Sequence, residues 1–183
     1  SDLSSLGIGK TATITFTLSE ASTTFTVGEI TFTGGILSNF KGNGTSYTAT
    51  FIPSANSITN GVIGVPSGVF SDVAGNLNAD GSDANNTITL AVDTVIPTIA
   101  LSSSKTSLIA GDTTNLTFTL SEASTTFTAS DVIVTGGALS NFTGSGTSYA
   151  ALFTPTANST TNGTVSVASS VFTDLAGNSN TDG

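Results

Sequence analysis

Apolar and polar residues alternate strictly along much of this chain. Ile14, Phe16 and Leu18 are interleaved with Thr13, Thr15 and Thr17, and Leu116, Phe118 and Leu120 repeat the pattern further on. Tyr47, Ala49 and Phe51 form another such face, as do Ile88, Leu90 and Val92. A period of two puts one set of side chains into a core and the other into water, which marks half-buried strands. Strands are expected at 98–103, 113–120, 131–135, 138–142, 148–154 and 163–168, with a further one at 87–92. Gly, Asn, Ser and Pro clusters separate them, and no stretch carries a helical period.

The pattern occurs twice. Ser19-Glu20-Ala21-Ser22-Thr23-Thr24-Phe25-Thr26 returns as Ser121-Glu122-Ala123-Ser124-Thr125-Thr126-Phe127-Thr128, an offset of 102 residues. From Ser19 to Thr59, 27 of 41 positions are identical to their partners, so the match is one of whole modules and not of a short motif. Superposing the copies gives a complete module of about seven strands in about 100 residues, the size of an immunoglobulin-like antiparallel β-sandwich. The fold class expected is all-β, with two such sandwiches in tandem and a barrel of similar strand count as the alternative. The expected boundaries are repeat 1 at 1–92, a short linker at 93–97 and repeat 2 at 98–183. Repeat 1 has no counterpart of Pro97-Thr98-Ile99-Ala100-Leu101, and repeat 2 stops before a counterpart of Asn86–Val92. The first copy is therefore expected to lack its opening strand and the second its closing strand, as in a window cut from a longer array. Neighbouring chains lending strands across the open edges is the alternative. Pro97 biases Ile96 toward extended backbone, so the linker is expected to be stiff and the modules to lie end to end.

Composition narrows the function. Net charge is −9, with three basic residues against twelve acids, which argues against nucleic acid and anionic membrane surfaces. There is no Cys, so no disulfide can staple the modules. Without His or Cys, the usual triads and thiol mechanisms are excluded. Paired carboxylates remain, but the absence of Trp and only two Tyr leave little platform for a sugar. No enzyme is expected. Gly34-Gly35 and Gly136-Gly137 precede no helix and read as strand-end turns, not phosphate loops. Asn43-Gly44-Thr45 and Asn158-Ser159-Thr160 match a glycosylation sequon but read as polar loops, and the Thr rows read as solvent faces of strands.

Strand direction in such a sandwich brings three segments of the second copy to one pole: the linker with Asp93, the loop with Glu122, and the loop Asp174-Leu175-Ala176-Gly177-Asn178. Asp131 opens the next strand at that pole, and Asp182 lies further along the last loop. Converging carboxylates invite a hard cation, and Ca²⁺ takes six to eight oxygens from Asp, Glu, Asn and carbonyls. Asn178 would complete the shell. The first copy offers Glu20, Asp72 and Asn76, with Glu29 nearby. The competing reading makes Asp72–Asn76 an ordinary turn, Asp and Asn capping backbone groups and Gly75 taking a positive φ, with Glu20 and Glu122 merely solvated.

Three segments carry a family resemblance: Val92-Asp93-Thr94-Val95-Ile96-Pro97-Thr98, Thr119-Leu120-Ser121-Glu122-Ala123-Ser124 and Phe172-Thr173-Asp174-Leu175-Ala176-Gly177-Asn178. With these the chain resembles the bacterial immunoglobulin-like repeats of large type I-secreted (RTX-type) surface adhesins and biofilm-associated proteins. The resemblance implies an extracellular, cell-surface spacer that projects an adhesive tip. Its partners would be neighbouring repeats, with any cell-surface or matrix ligand held by other domains and with no membrane insertion. It also implies structural Ca²⁺ at module junctions, held by Asp93, Glu122, Asp174 and Asn178, and by Glu20, Asp72 and Asn76. A ligand-binding adhesion module for a glycan or protein is the alternative. The loops that differ between copies, Val27-Gly28-Glu29 against Ala129-Ser130-Asp131 and Lys41-Gly42-Asn43 against Thr143-Gly144-Ser145, are where such recognition would sit.

Overall fold

The computed structural model describes residues 1–182. It is all-β, and the chain divides into two compact units, Ser1–Val95 and Ile96–Gly183. In the first, β1 (Ser5–Leu6), β6 (Thr87–Val92), β5 (Gly61–Gly64) and β3 (Thr31–Thr33) form one sheet in the order β1-β6-β5-β3, and β2 (Ala12–Ser22) pairs with β4 (Gly35–Pro53) in another. The second unit holds β7 (Ile99–Ser103), β8 (Thr114–Ser124) and β10 (Gly137–Pro155) in the order β10-β8-β7, with β11 (Thr164–Val167) on β9 (Val132–Thr135).

The alternation sets the layers. Ile14, Tyr47 and Phe51 from one sheet and Ile63, Leu90 and Val92 from the other meet in a single buried cluster, while Thr13, Thr15 and Thr17 face water. An aromatic centre sits inside it. Phe25 lies 5.6 Å from Phe16, 5.7 Å from Phe40, 5.1 Å from Tyr47 and 5.0 Å from Phe70, all edge-on, the arrangement ring quadrupoles favour. Phe127 repeats this with Phe118, Phe142, Tyr149 and Phe172.

Two features go beyond the expected strands. The regions 138–142 and 148–154 belong to one extended run, β10, as their counterparts belong to β4. Each run doubles back on itself: Ser54 N–H donates to Gly34 C=O, and Ser38 Oγ donates to Thr50 C=O. The fold-back needs Gly42, whose φ is 136° and where a Cβ would sit 2.3 Å from Ser46 C=O. The second feature is β1, only two residues long, which pairs parallel to β6 through Ser5↔Ala91 and Leu6↔Val92. β2 has β4 as its only strand partner among the described residues, whereas its counterpart β8 is flanked by both β10 and β7.

Candidate functional site

The loop before the last strand is built the same way in both units. In the second, Asp174 N–H donates to Asn178 C=O at 3.1 Å and Gly177 N–H to Asp174 C=O at 3.3 Å. Asp174 Oδ1 accepts from Asn178 N–H at 2.9 Å, and Oδ2 from the Asn178 side-chain amide at 2.8 Å. Gly177 takes φ 85°, which closes the loop at no steric cost. Asp72, Gly75 and Asn76 repeat these bonds, with Asn76 N–H and Nδ2 each 2.8 Å from the Asp72 carboxylate. The turn reading of this loop is thus correct in both copies. It also fixes the carboxylate rigidly, and the two copies differ in how far they bury it. Asp174 is 5% and Asn178 3% exposed, whereas Asn76 is exposed.

Within the second unit, Glu122 and Asp174 each bring a carboxylate oxygen within 4.8 Å of the other. Glu122 reaches that place because it lies near the end of the long strand β8, just beyond the last residue registered with β7, Leu120. In the first unit Glu20 and Asp72 line the same groove. Asp93 is anchored locally: its N–H donates to Leu6 C=O at 3.0 Å, and its Oδ1 accepts from Val95 N–H at 3.2 Å.

The two other acids expected at this pole serve different purposes. Asp131 Oδ2 accepts from Thr128 N–H at 2.7 Å and from Thr128 Oγ1 at 2.9 Å, closing the short turn Ala129–Asp131. Glu29 does the same for Thr26, at 2.6 Å to both N–H and Oγ1. These are capping boxes, in which an acid three residues into the turn satisfies the cap residue's N–H. The spacing Thr-x-x-Asp/Glu was in the sequence and was the signal that separates them from the cluster. Asp182 accepts from Ile99 N–H at 2.7 Å and so pins the first strand of its unit. Two residues that no motif pointed to also prove structural: Ser22 and Ser124. Each is 2% exposed and donates its hydroxyl, at 2.6 Å, to the backbone ahead of the Asp loop, at Ser71 and Thr173.

Several first-unit carboxylates are held below the usual range by these bonds. For Asp72 the main cause is the Asn76 side-chain amide, then Asn76 N–H. For Glu29 it is the Thr26 hydroxyl, and for Asp2 the backbone N–H of Thr13. A depressed folded pKa contributes stability that is present above the unfolded value, about 4, and is lost as pH falls through the folded values. The thermal midpoint of the first unit is therefore expected to stay flat between about pH 7 and 5 and to decline below about pH 4. Melts followed by circular dichroism across that range check this. A midpoint that rises on acidification contradicts it.

No helix among the described residues is long and apolar enough to cross a membrane. No curated protein and no solved structure matches the chain. The bacterial Ig-like domain family matches twice, over residues 1–89 and again over residues 93–183. The two matches leave only three residues between them, and each spans one copy of the repeat with its Asp-x-x-Gly-Asn loop, so the chain belongs to the bacterial Ig-like domain family.

Proposed function

We propose that this chain is a structural extender segment of a repetitive bacterial surface adhesin, non-catalytic and extracellular, in which a bound Ca²⁺ stiffens each repeat where the chain enters it. The observation that carries the reading is the tandem: two copies of one family domain fill the chain nearly end to end, without an interposed domain of another kind. Bacterial Ig-like domains are commonly spacer and adhesion modules of surface or extracellular proteins, and a stack of equivalent sandwiches supplies length at constant surface chemistry.

Glu122 and Asp174 bring carboxylate oxygens within 4.8 Å of each other, and Asp93, where the second family match begins, is proposed as a further donor to the same ion. Oxygens on opposite sides of a Ca²⁺ ion, each at about 2.4 Å, are about 4.8 Å apart, so the spacing fits a shared ion. All the donors are hard oxygens, which suits Ca²⁺ over softer metals. Asn178 and nearby carbonyls supply further oxygens on this reading. The ion would neutralise like charges and tie the entering segment to the body of the repeat. In the first copy, Glu20, Asp72 and Asn76 are the equivalent donors, more open to water.

A ligand that binds only the folded form stabilises it by about 2.7 kcal/mol at a hundredfold excess over Kd. Adding Ca²⁺ to EDTA-treated protein is expected to raise the thermal midpoint, and Glu122→Gln to remove most of that rise while leaving the turn bonds of Asp174 intact. Identical midpoints with Ca²⁺ and with EDTA would remove the ion from the proposal and leave the spacer role standing.

A further inference from the structure

A hollow of 410 Å³ opens on the first unit, lined by Thr13 of β2, by Thr48 and Thr50 of one arm of β4, and by Asn39 and Lys41 of the other arm. It lies on the sheet face turned away from the core. Ala12, Ile14, Ala49 and Phe51 are buried, so alternation points their neighbours Thr13, Thr48 and Thr50 outward. The strand register sets Thr13 directly opposite Thr50.

A bulge in β4 shapes the other wall. Leu37 and Phe40 both pack against the core although they are three residues apart, which strict alternation forbids. Asn39 absorbs the extra residue at φ 52°, a left-handed conformation that asparagine tolerates. Past the bulge the alternation resumes and turns Lys41 to the same outer face as the threonines. The second unit keeps this backbone and changes its lining. Leu139 and Phe142 both pack on its core, and Asn141 takes φ 53°. Yet across the 102-residue offset Thr13 becomes Asn115, Lys41 becomes Thr143, Thr48 becomes Ala150 and Thr50 becomes Leu152. The cation and the grouped hydroxyls belong to the first copy alone. Among the described residues Lys41 forms no ion pair, and no acid lines the hollow.

Going beyond the spacer role, we propose that this hollow binds one acidic sugar unit, a uronic acid of a polysaccharide. The Lys41 ammonium takes the carboxylate as a compact point charge. The hydroxyls of Thr13, Thr48 and Thr50 each donate and accept, and the Asn39 amide does both with separate atoms, which suits the hydroxyls of a sugar ring. The volume falls within the range of about 300–1,000 Å³ usual for small-molecule sites. The Phe40 ring offers no platform, because it is stacked on Tyr47 within the core cluster. Binding is therefore polar and weak, with Kd of about 1 mM.

The test titrates trigalacturonate into the ¹⁵N-labelled 183-residue chain in EDTA, which removes any Ca²⁺ bridge, and follows amide shifts by NMR. Saturable shifts are expected at Asn39, Lys41, Thr48 and Thr50, with their second-unit counterparts unmoved. Neutral galactotriose and sodium acetate, at matched ionic strength, supply the hydroxyls and the carboxylate separately, and each is expected to bind at least about tenfold more weakly. Lys41→Thr and Thr50→Leu each install the residue with which the second unit folds. The first is expected to weaken binding about tenfold and the second by a few fold. Absence of saturable shifts, equal shifts in the second unit, an equal response to acetate or to the neutral sugar, or Lys41→Thr chain that binds like the wild type overturns the proposal.

Discussion

Phe51→Ala is expected to cost the first unit about 3–5 kcal/mol, the range for emptying a fully buried phenylalanine site. Phe51 is 0% exposed, and its ring lies directly against Gly35 and Gly61. A Cβ built on either glycine would approach the ring to 2.6 Å or 2.5 Å, so both positions are bare because the ring occupies the space. The walls of the resulting cavity are partly backbone in paired strands, Gly61 being registered against Leu90, and backbone does not collapse inward as side chains do. The lost transfer energy and the unfilled volume therefore add. Since a small domain has about 5–15 kcal/mol in all, the variant sits near its unfolding threshold. Urea denaturation resolved by NMR measures the loss in first-unit resonances, and a loss below about 1 kcal/mol contradicts the cavity argument. Phe153 makes the same contacts with Gly137 and Gly163, so Phe153→Ala serves as an internal replicate in the second unit.

The same ring shows how much of this fold was legible in the sequence. Alternation at Tyr47, Ala49 and Phe51 assigned the inward face correctly, because a period of two is a direct projection of the pleat. The glycines opposite were visible as repeated positions, but not as the floor under a ring, since that requires the cross-strand register. β1 was illegible for a different reason: two residues cannot display a period, and Ser5–Leu6 is a strand only because β6 lies beside it. The doubled-back runs β4 and β10 were read as pairs of strands, which is how their arms behave, although the backbone stays extended through the bend.

At the candidate site the sequence separated roles only in part. The Asp-x-x-Gly-Asn loop was legible because its geometry is local: the carboxylate, the positive-φ glycine and the amide close on one another within five residues. Asp131 was assigned to the cation pole from strand direction, which locates a residue to within a loop but not the way its side chain turns. A bond over three residues, to Thr128, captured it instead. Local closure won over convergence because it costs less chain entropy to form.

The least legible residue, and the one with the second large expected effect, is Asn180. It is 0% exposed, yet nothing in the sequence distinguishes it from any loop asparagine. Its Oδ1 accepts from Val171 N–H at 3.0 Å and Phe172 N–H at 3.2 Å, and its Nδ2 donates to Ala168 C=O at 2.9 Å. One side chain thus satisfies three backbone groups of the segment that places Phe172 in the aromatic centre and leads into Asp174. Asn180→Ala leaves those groups with no partner in a dry site, at about 1–3 kcal/mol for each group that water cannot reach, so a total of about 3 kcal/mol or more is expected. Asn180→Asp keeps the acceptor but loses the donor to Ala168 and buries a charge, so it should not restore stability. Asn78 makes the same three bonds in the first unit, to Val69, Phe70 and Pro66, but is only partly buried. Water can replace its amide there, so Asn78→Ala is expected to cost clearly less than Asn180→Ala. Paired denaturation curves of the two variants decide the point. Equal losses would mean that the bonds carry the stability regardless of burial, whereas a smaller loss at Asn78 assigns the difference to exclusion of water around Asn180.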